Sequence, residues 1–292
     1  MQGQLKKMHS RLQSPVQYNL PLGDQSIALN PLIGKPIKLT YTGHIICVHC
    51  NRSIKKSFNQ GYCYPCFSSL AQCDMCIMKP ETCHYEAGTC REPAWGEAFC
   101  FQPHIVYLAN SSGIKVGITR QTQIPTRWID QGAVQALPIF KVQSRYMAGL
   151  IEVTIAKHVS DKTSWQQMLK NHGEPVDLAQ KRDELVIKCK TELAEVSQRF
   201  GQQAIEFLPE EPIVSVHFPV DSYPVKIKSF NFVRTLKYQV FCMALKVSIC
   251  YWIRASLTSV SFRVTRWNFT CLSGYHRLIG ILWFRVCAHS IV

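Results

Sequence analysis

The sequence contains no acidic residue after Asp221 and no proline after Pro224. The segment 222–292 carries ten Lys and Arg residues, whereas the whole chain has a net charge of +14. Most of the positive charge therefore lies in this last segment, and the rest of the chain is only weakly basic. The net charge alone therefore does not indicate that the protein binds nucleic acid. A small basic excess at 105–165 is nevertheless compatible with phosphate contacts.

The sequence also lacks a hydrophobic leader and a membrane-spanning run. The first eleven residues are polar and basic, and Lys246, Arg254 and Arg263 interrupt the apolar stretches near the C-terminus before they reach transmembrane length. We therefore predict a cytoplasmic protein with no membrane partner. Because the cytosol keeps thiols reduced, the 14 cysteines are expected to serve as metal ligands and not to form disulfides.

Residues 233–292 are predicted to be a tail translated out of frame. Met and Trp each have one codon, which ends in G, so shifted triplets at Met243–Ala244, Trp252–Ile253 and Trp267–Asn268 read as Gly, Asp and Glu. The shifted frame restores acidic residues and places Gly turns between short strands. The alternative is an unusual basic segment that is rich in strands or lies on a membrane surface.

The chain ahead of this tail divides by composition into five regions. Turn residues separate short apolar runs in the first and the last of them, which predicts strands. The fourth has apolar residues at helical spacing behind Asp177, which predicts one amphipathic helix with an N-cap. The second is rich in cysteine and the third mixes strands and helices, so we predict an α+β fold. The five regions are 1–44, 45–104, 105–170, 171–204 and 205–232.

Two Cys-x-x-Cys pairs open the cysteine cluster. Cys47 and Cys50 form the first pair, and Cys63 and Cys66 follow after twelve residues. Two such turns at this separation can fold onto each other and present four thiolates at the corners of a tetrahedron. The spacing predicts a structural zinc site, because four protein ligands leave no position open to water. Redox use of one pair is the alternative, but no βαβ context supports it.

A second group of cysteines follows and predicts a second zinc. The chosen ligands are Cys73, Cys76, Cys83 and Cys90, and spacing alone leaves Cys100, His84 or His104 as replacements for one of them. An iron–sulfur cluster on some of these thiolates is the weaker alternative. A region this short and polar makes little hydrophobic core, so metal binding is expected to supply its folding energy.

Four polar residues in the region 105–170 are candidates for phosphodiester chemistry. Apolar runs predict strands at 105–109, 114–119 and 138–142 and a helix at 147–158 that carries Glu152. Glu152 could hold Mg²⁺ and Arg127 could clamp a phosphate with its planar guanidinium, while Tyr107 or Lys115 could handle the proton. The alternatives are a core Tyr107, a solvated Lys115 and an Arg127 that pairs with Asp130 on the helix surface.

The same residues resemble the GIY-YIG endonuclease module. Val106-Tyr107-Leu108 stands where that family has its first triplet, and Lys115-Val116-Gly117 stands where the phage-type branch often has Lys-Ile-Gly. Arg127 and Glu152 are similar in position to the family's catalytic arginine and metal-binding glutamate. The departures are Val106 for the first Gly, Lys115 for the second Tyr, and a short span between Arg127 and Glu152.

A wider resemblance covers about residues 1–232. The cysteine cluster followed by Lys-Val-Gly-Ile-Thr-Arg at 115–120 is similar to an uncharacterised bacterial family that is known as a domain of unknown function. This resemblance implies no activity. Together the two resemblances imply a zinc-binding cysteine cluster joined to a small GIY-YIG-like mixed sheet with helices.

Two functional hypotheses follow from these patterns. The first is a Mg²⁺-dependent nuclease that is stabilised by one or two structural zinc ions and acts on nucleic acid. The second is a non-catalytic, zinc-stabilised protein that binds nucleic acid or serves as an adaptor. Neither hypothesis requires a small-molecule cofactor, and the sequence leaves the oligomeric state, the substrate and the pathway open.

Overall fold

The computed structural model describes residues 2–4, 6–59, 61–159, 165–170, 173–201, 203–223, 237–241, 245–246 and 260–264. The rest of the predicted out-of-frame tail 233–292 lies outside these residues. The chain divides into two compact units, the first combining Met1–Phe67 with His217–Cys287 and the second combining Ser68–Val216 with Ala288–Val292. The boundary after Phe67 therefore falls inside the predicted cysteine cluster.

Short strands and helices make up the described chain, which confirms the predicted α+β class. The strands are β1 Gln2–Gly3, β2 His9–Arg11, β3 Gln17–Leu22, β4 Gln25–Ala28, β5 Pro36–Tyr41, β6 Ile45–Ile46, β7 Ser53–Ile54, β8 His104–Asn110, β9 Ile114–Arg120, β10 Gln135–Val142, β11 Ile205–Phe207, β12 Val214–Ser215, β13 Lys237–Phe241 and β14 Val260–Val264. The α-helices are α1 Tyr64–Ser69, α2 Met75–Met78, α3 Pro93–Phe99, α4 Thr126–Asp130, α5 Arg145–Ala156, α6 Trp165–Lys170, α7 Leu178–Lys188 and α8 Lys190–Phe200.

The first unit contains three small antiparallel sheets. Strands β2, β3 and β4 form one, strands β1, β14, β5 and β13 form the second in that order, and β6 pairs with β7 in the third. The side chains of β3 alternate, so that Tyr18, Leu20 and Leu22 are buried. The strands predicted for the region 1–44 are thus present. The hairpin of β6 and β7 carries the first cysteine pair between its strands.

The second unit is built on an antiparallel sheet with the order β11, β10, β8, β9, to which β12 adds by pairing with β10. Every residue of β8 is buried, because both faces of this central strand are covered. Val106 and Leu108 pack with Ile151 of α5 on one face, and Tyr107 packs with Trp128 of α4 on the other. The chain order strand, strand, helix, strand, helix agrees with the elements predicted for region 105–170.

The amphipathic segment predicted as one helix forms two. Asp177 caps α7 by accepting a hydrogen bond from the Gln180 N–H, as predicted. The helix then breaks at Cys189, which is completely buried. Leu193, Val196 and Phe200 of α8 pack against the same core as α7. Periodicity was preserved across the break, so the sequence pattern did not reveal it.

Among the residues that the structure describes, no helix is long and apolar enough to cross a membrane.

Candidate metal centre and polar cluster

The first cysteine group converges on one point. The sulfur atoms of Cys47, Cys50, Cys63 and Cys66 all lie within 4.8 Å of one another, and those of Cys50 and Cys63 are 3.7 Å apart. Cys47 follows β6, and Cys66 lies in α1. The prediction that two Cys-x-x-Cys turns fold onto each other is therefore confirmed, and the four sulfurs form a cluster able to hold a metal ion.

Backbone groups favour a thiolate at Cys47. The N–H of Cys63 donates to the Cys47 sulfur over 3.2 Å. Burial alone raises the pKa of Cys47, but N–H groups of Cys50, Cys63 and His49 more than offset burial and lower this pKa to about 6. Such N–H···S bonds stabilise a metal-bound thiolate in the same way as a free one.

Cys66 shows the opposite effect. Burial raises the pKa of its thiol, and the neighbouring thiols of Cys63, Cys50 and Cys47 raise it further. Four thiols at this separation cannot all ionise unless a cation offsets their mutual repulsion. The all-sulfur donor set fits a thiophilic cation such as zinc, with all four tetrahedral positions taken by protein.

The later cysteines are arranged differently from the predicted set. Cys76, Cys83 and Cys90 line one cavity together with Cys100, while Cys73 is not among the residues that line it. His84 also borders this cavity, with its Nε2 atom 3.5 Å from Asp74 Oδ1. The donor atoms of Asp74, Cys76 and His84 lie within 4.8 Å of one another. The sulfur of Cys76 is thus common to two alternative sets of donors.

His104, another predicted alternate ligand, begins β8 and is fully buried. Its Nδ1 donates to the carbonyl oxygen of Gln102 over 2.7 Å, because a carbonyl can only accept. Burial lowers the pKa of His104 to about 4, so the ring is neutral at pH 7. Its Nε2 has no hydrogen-bond partner within the described chain.

Arg127, one of the candidate catalytic residues, is linked to the hydroxyl of Tyr107 through Gln131. With the Gln131 amide nitrogen facing Tyr107, that amide donates to the hydroxyl over 2.8 Å. The Gln131 oxygen then accepts from Arg127 Nη2 at 3.0 Å and Arg127 Nε at 3.1 Å. Gln131 therefore fixes the guanidinium of Arg127 relative to the sheet. Sequence reasoning missed Gln131, although its position four residues after Arg127 puts both on one side of a helical turn.

Gly117 explains how the ring of Tyr107 fits against β9. The two residues are directly opposite in the sheet register, and a Cβ atom at position 117 would lie 2.8 Å from the Tyr107 hydroxyl oxygen and 2.9 Å from Cζ. Only glycine leaves room for the ring. In the next pair on this face Lys115 lies opposite Ala109, so Tyr107 and Lys115 share a face of the sheet, as the sequence predicted.

Glu152 and Arg145 complete the charges near this cluster. Both belong to α5, and Glu152 is half-buried. Burial raises the pKa of Tyr107 to about 12, with Arg127 opposing the rise and Glu152 adding to it. Arg145 is influenced by both Arg127 and Glu152. The structure thus brings Tyr107, Arg127 and Glu152 into one electrostatic neighbourhood and adds Arg145, which the sequence analysis did not single out.

Comparison with known proteins gives one family. The family model described as "Protein of unknown function (DUF2797)" matches residues 34–251, which is well over half of the chain. No curated protein and no solved structure matches the chain. The resemblance to an uncharacterised domain family is therefore confirmed, and the chemistry has to be argued from the site.

Proposed function

The chain belongs to the DUF2797 family, and since that family has no assigned activity, we propose from the site that this protein binds zinc at its first cysteine group and hydrolyses phosphodiester bonds of a nucleic acid with Mg²⁺. The observation that carries the proposal is the meeting of Arg127 and Glu152, distant in sequence, beside the buried Tyr107. The GIY-YIG resemblance and the strand–strand–helix–strand–helix order support the same function.

Zinc at Cys47, Cys50, Cys63 and Cys66 has a structural role in this proposal. The two strands that flank the first pair are two residues long each, and such a hairpin is not stable alone in water. Metal binding supplies the missing free energy. A metal whose four ligands are all protein sulfurs has no open position for a substrate, so the chemistry belongs to the polar cluster of the second unit.

Arg127 is the group suited to hold a phosphate. Its side chain is half-buried and is fixed through Gln131, and a planar guanidinium is a donor whose geometry matches phosphate oxygens. A fixed, charged donor stabilises the negative charge that develops on a phosphoryl group during displacement. Gln131 and Tyr107 act as positioning residues for this guanidinium.

Glu152 is the group suited to hold Mg²⁺. Glu152 is half-buried on a helix whose neighbouring residues Ile151 and Ile155 are core residues, and it lies in the same electrostatic neighbourhood as Tyr107 and Arg145. Bound Mg²⁺ supplies charge relief at the leaving oxygen and lowers the pKa of a bound water. A hard oxygen donor of this kind, with waters filling the other positions, is the usual Mg²⁺ ligand.

The burial of Tyr107 changes the role that the sequence suggested for it. A phenol with a pKa raised to about 12 stays protonated at neutral pH, and its hydroxyl is occupied by Gln131. Proton transfer in the proposed reaction therefore falls to Lys115, which is half-buried on the same face, or to solvent. The buried phenol also supports the second candidate function, which is binding of nucleic acid without cleavage.

The test is incubation of the full chain with labelled single- and double-stranded DNA and RNA in the presence and absence of Mg²⁺. We expect Mg²⁺-dependent cleavage that falls at least about 100-fold in Glu152→Gln and in Arg127→Lys. Glu195→Gln, at an exposed position of α8, is the matched control and keeps full activity. Binding of these nucleic acids without cleavage by the wild type supports the second function, and neither binding nor cleavage contradicts both.

We further propose that residues 233–292 derive from a shifted reading frame. The absence of acidic residues after Asp221 and the acidic codons restored at Trp252 and Trp267 support this origin. Sequencing the gene decides the question. An alternative frame that encodes acidic residues and Gly turns is expected, and a gene without such a frame contradicts the proposal.

A further inference from the structure

We infer that Cys76, Cys83, Cys90 and Cys100 bind a second zinc ion in the second unit, and that the guanidinium of Arg145 is the buried countercharge of this site. The inference is independent of the proposed hydrolysis. It differs from the set predicted from spacing, because Cys100 takes the place of Cys73. We call these four residues the second tetrad.

The fold gathers the second tetrad from four separate pieces of chain. Cys76 lies in α2, Cys83 follows the turn of 3-10 helix at Pro80–Thr82, Cys90 lies in the loop before α3, and Cys100 ends α3. All four line one cavity of about 20 Å³, which is room for a single water-sized guest.

Arg145 provides the independent observation. Its side chain is half-buried, and it borders an adjoining cavity with Cys76, Cys83 and Cys100. Its Nη2 donates to the carbonyl of Ile77 over 2.6 Å, its backbone N–H donates to the carbonyl of Cys100 over 2.8 Å, and its Nε has no hydrogen-bond partner among the described residues. A buried guanidinium with an unused donor requires a nearby negative charge.

A zinc ion held by four thiolates supplies that charge, because the complex carries a net charge of about −2. Arg145 is placed to face this charge, because its backbone N–H donates to the carbonyl of Cys100 and its side chain borders a cavity with Cys76, Cys83 and Cys100. Its guanidinium thus opposes the charge of a zinc–thiolate complex, and an N–H···S bond from Arg145 Nε would satisfy its free donor.

The competing donor set is Asp74, Cys76 and His84. Its donor atoms lie closer to one another than the four sulfurs of the second tetrad, which are spread around the cavity. Asp74 already has other partners: it pairs with Arg91 at 2.6 Å and caps α2 by accepting from the Cys76 N–H. The Nδ1 of His84 bonds the Thr89 hydroxyl over 2.7 Å. Asp74 and His84 therefore form a polar layer beside the thiols and are not the favoured ligands.

Zinc content of the purified full chain tests the ligand set. We expect about two zinc ions per chain in the wild type, and about one in Cys83→Ser and in Cys100→Ser, because serine is a poor zinc ligand. Cys73→Ser is the matched control and keeps two, as do His84→Ala, Asp74→Asn and His104→Ala. One zinc in the wild type, or loss of zinc in His84→Ala or Asp74→Asn but not in Cys100→Ser, contradicts the inference.

A second measurement avoids variants that fold poorly. Zinc-edge X-ray absorption of the unaltered protein is expected to show a sulfur-only first shell at about 2.3 Å. Nitrogen or oxygen scatterers in about half of the sites would instead identify the Asp74 and His84 set or His104, and would overturn the inference.

The role of Arg145 has its own readout. In Arg145→Met, release of one of the two zinc ions to a chelator is expected to be at least about 10-fold faster than in the wild type. In Arg145→Lys, which keeps the positive charge, the release rate is expected to stay close to that of the wild type. Equal release from Arg145→Met and the wild type contradicts the assignment of Arg145 as the countercharge.

Discussion

The two cysteine groups of this chain assemble by different means. In the first, one Cys-x-x-Cys turn lies between the strands of a short hairpin and the other lies at the start of α1, so that four sulfurs within twenty residues of sequence meet with little help from the rest of the protein. In the second, Cys76, Cys83, Cys90 and Cys100 reach one cavity through the packing of α2, α3 and α5. The comparison teaches that paired Cys-x-x-Cys turns indicate a local metal site from the sequence alone. Isolated cysteines indicate such a site only once the tertiary structure is known.

Loss of the first group is expected to have the largest effect. In Cys63→Ser or after chelation, the binding free energy of a structural metal, of order 10 kcal/mol, no longer supports residues 45–67. Limited proteolysis is expected to cut within this segment, while the segment 104–156 stays resistant. His49→Ala, an exposed neighbour of Cys50, serves as control and stays resistant throughout. Simultaneous digestion of both segments would show that the two groups do not assemble separately.

Gly149→Ala tests the dependence of the second group on packing. A Cβ atom at this position of α5 would lie 2.5 Å from the Cβ of Pro80 and 2.9 Å from the nitrogen of Glu81. The turn between Cys76 and Cys83 must then move away from the helix, at a cost of about 2–3 kcal/mol. Guanidinium unfolding measures the cost, and zinc content is expected to fall at the second tetrad only.

Gly113→Ala is the control for this experiment, since nothing lies within 4 Å of a Cβ atom there. If Gly149→Ala leaves both the stability and the zinc content unchanged, the second tetrad does not depend on the contact between α5 and the Pro80 turn.

Gly117→Ala is expected to disturb the polar cluster and neither cysteine group. The new methyl group would overlap the ring of Tyr107 and displace Gln131 from Arg127, at a cost of about 1–2 kcal/mol. Unfolding measurements on Gly117→Ala, Tyr107→Phe and the double variant give the coupling energy. Additive changes would mean that Gly117 and Tyr107 do not constrain each other.

Asp177→Ala should have the smallest effect, because it removes only the N-cap hydrogen bond of α7. We expect a loss of about 1 kcal/mol in unfolding free energy and an unchanged content of both zinc ions. Glu195→Ala, exposed within α8, should change stability by less than about 0.5 kcal/mol. A change in zinc content in Asp177→Ala would show that the second group depends on more of its unit than α5.

The residues that sequence reasoning located share a local signal. Cys47, Cys50, Cys63 and Cys66 were evident from spacing, and the strands β8 and β9 from apolar runs. Arg145 carried no such signal, because its importance arises from contact with a carbonyl and thiols that lie far away in sequence. The helix break at Cys189 was hidden because the apolar spacing continues across it from α7 into α8.

The choice among Cys73, Cys90 and Cys100 also needed tertiary structure. Each of the three stands at a separation that a zinc site tolerates, so spacing could not rank them. Gly149, by contrast, could be recognised only once Pro80 was seen against α5. A glycine inside a helix can be present for many reasons, and the sequence around Gly149 did not favour any one of them.

Arg145 occupies a position from which one positive charge acts on two neighbourhoods, the thiol of Cys100 on one side and the carboxylate of Glu152 on the other. Because both groups interact with the same guanidinium, a substitution at one of them also changes the interaction energy of the other. Single substitutions therefore cannot give a separate energy for each group. Any event that alters the charge state of these sulfurs, whether oxidation or metal exchange, therefore also changes the electric field around the glutamate.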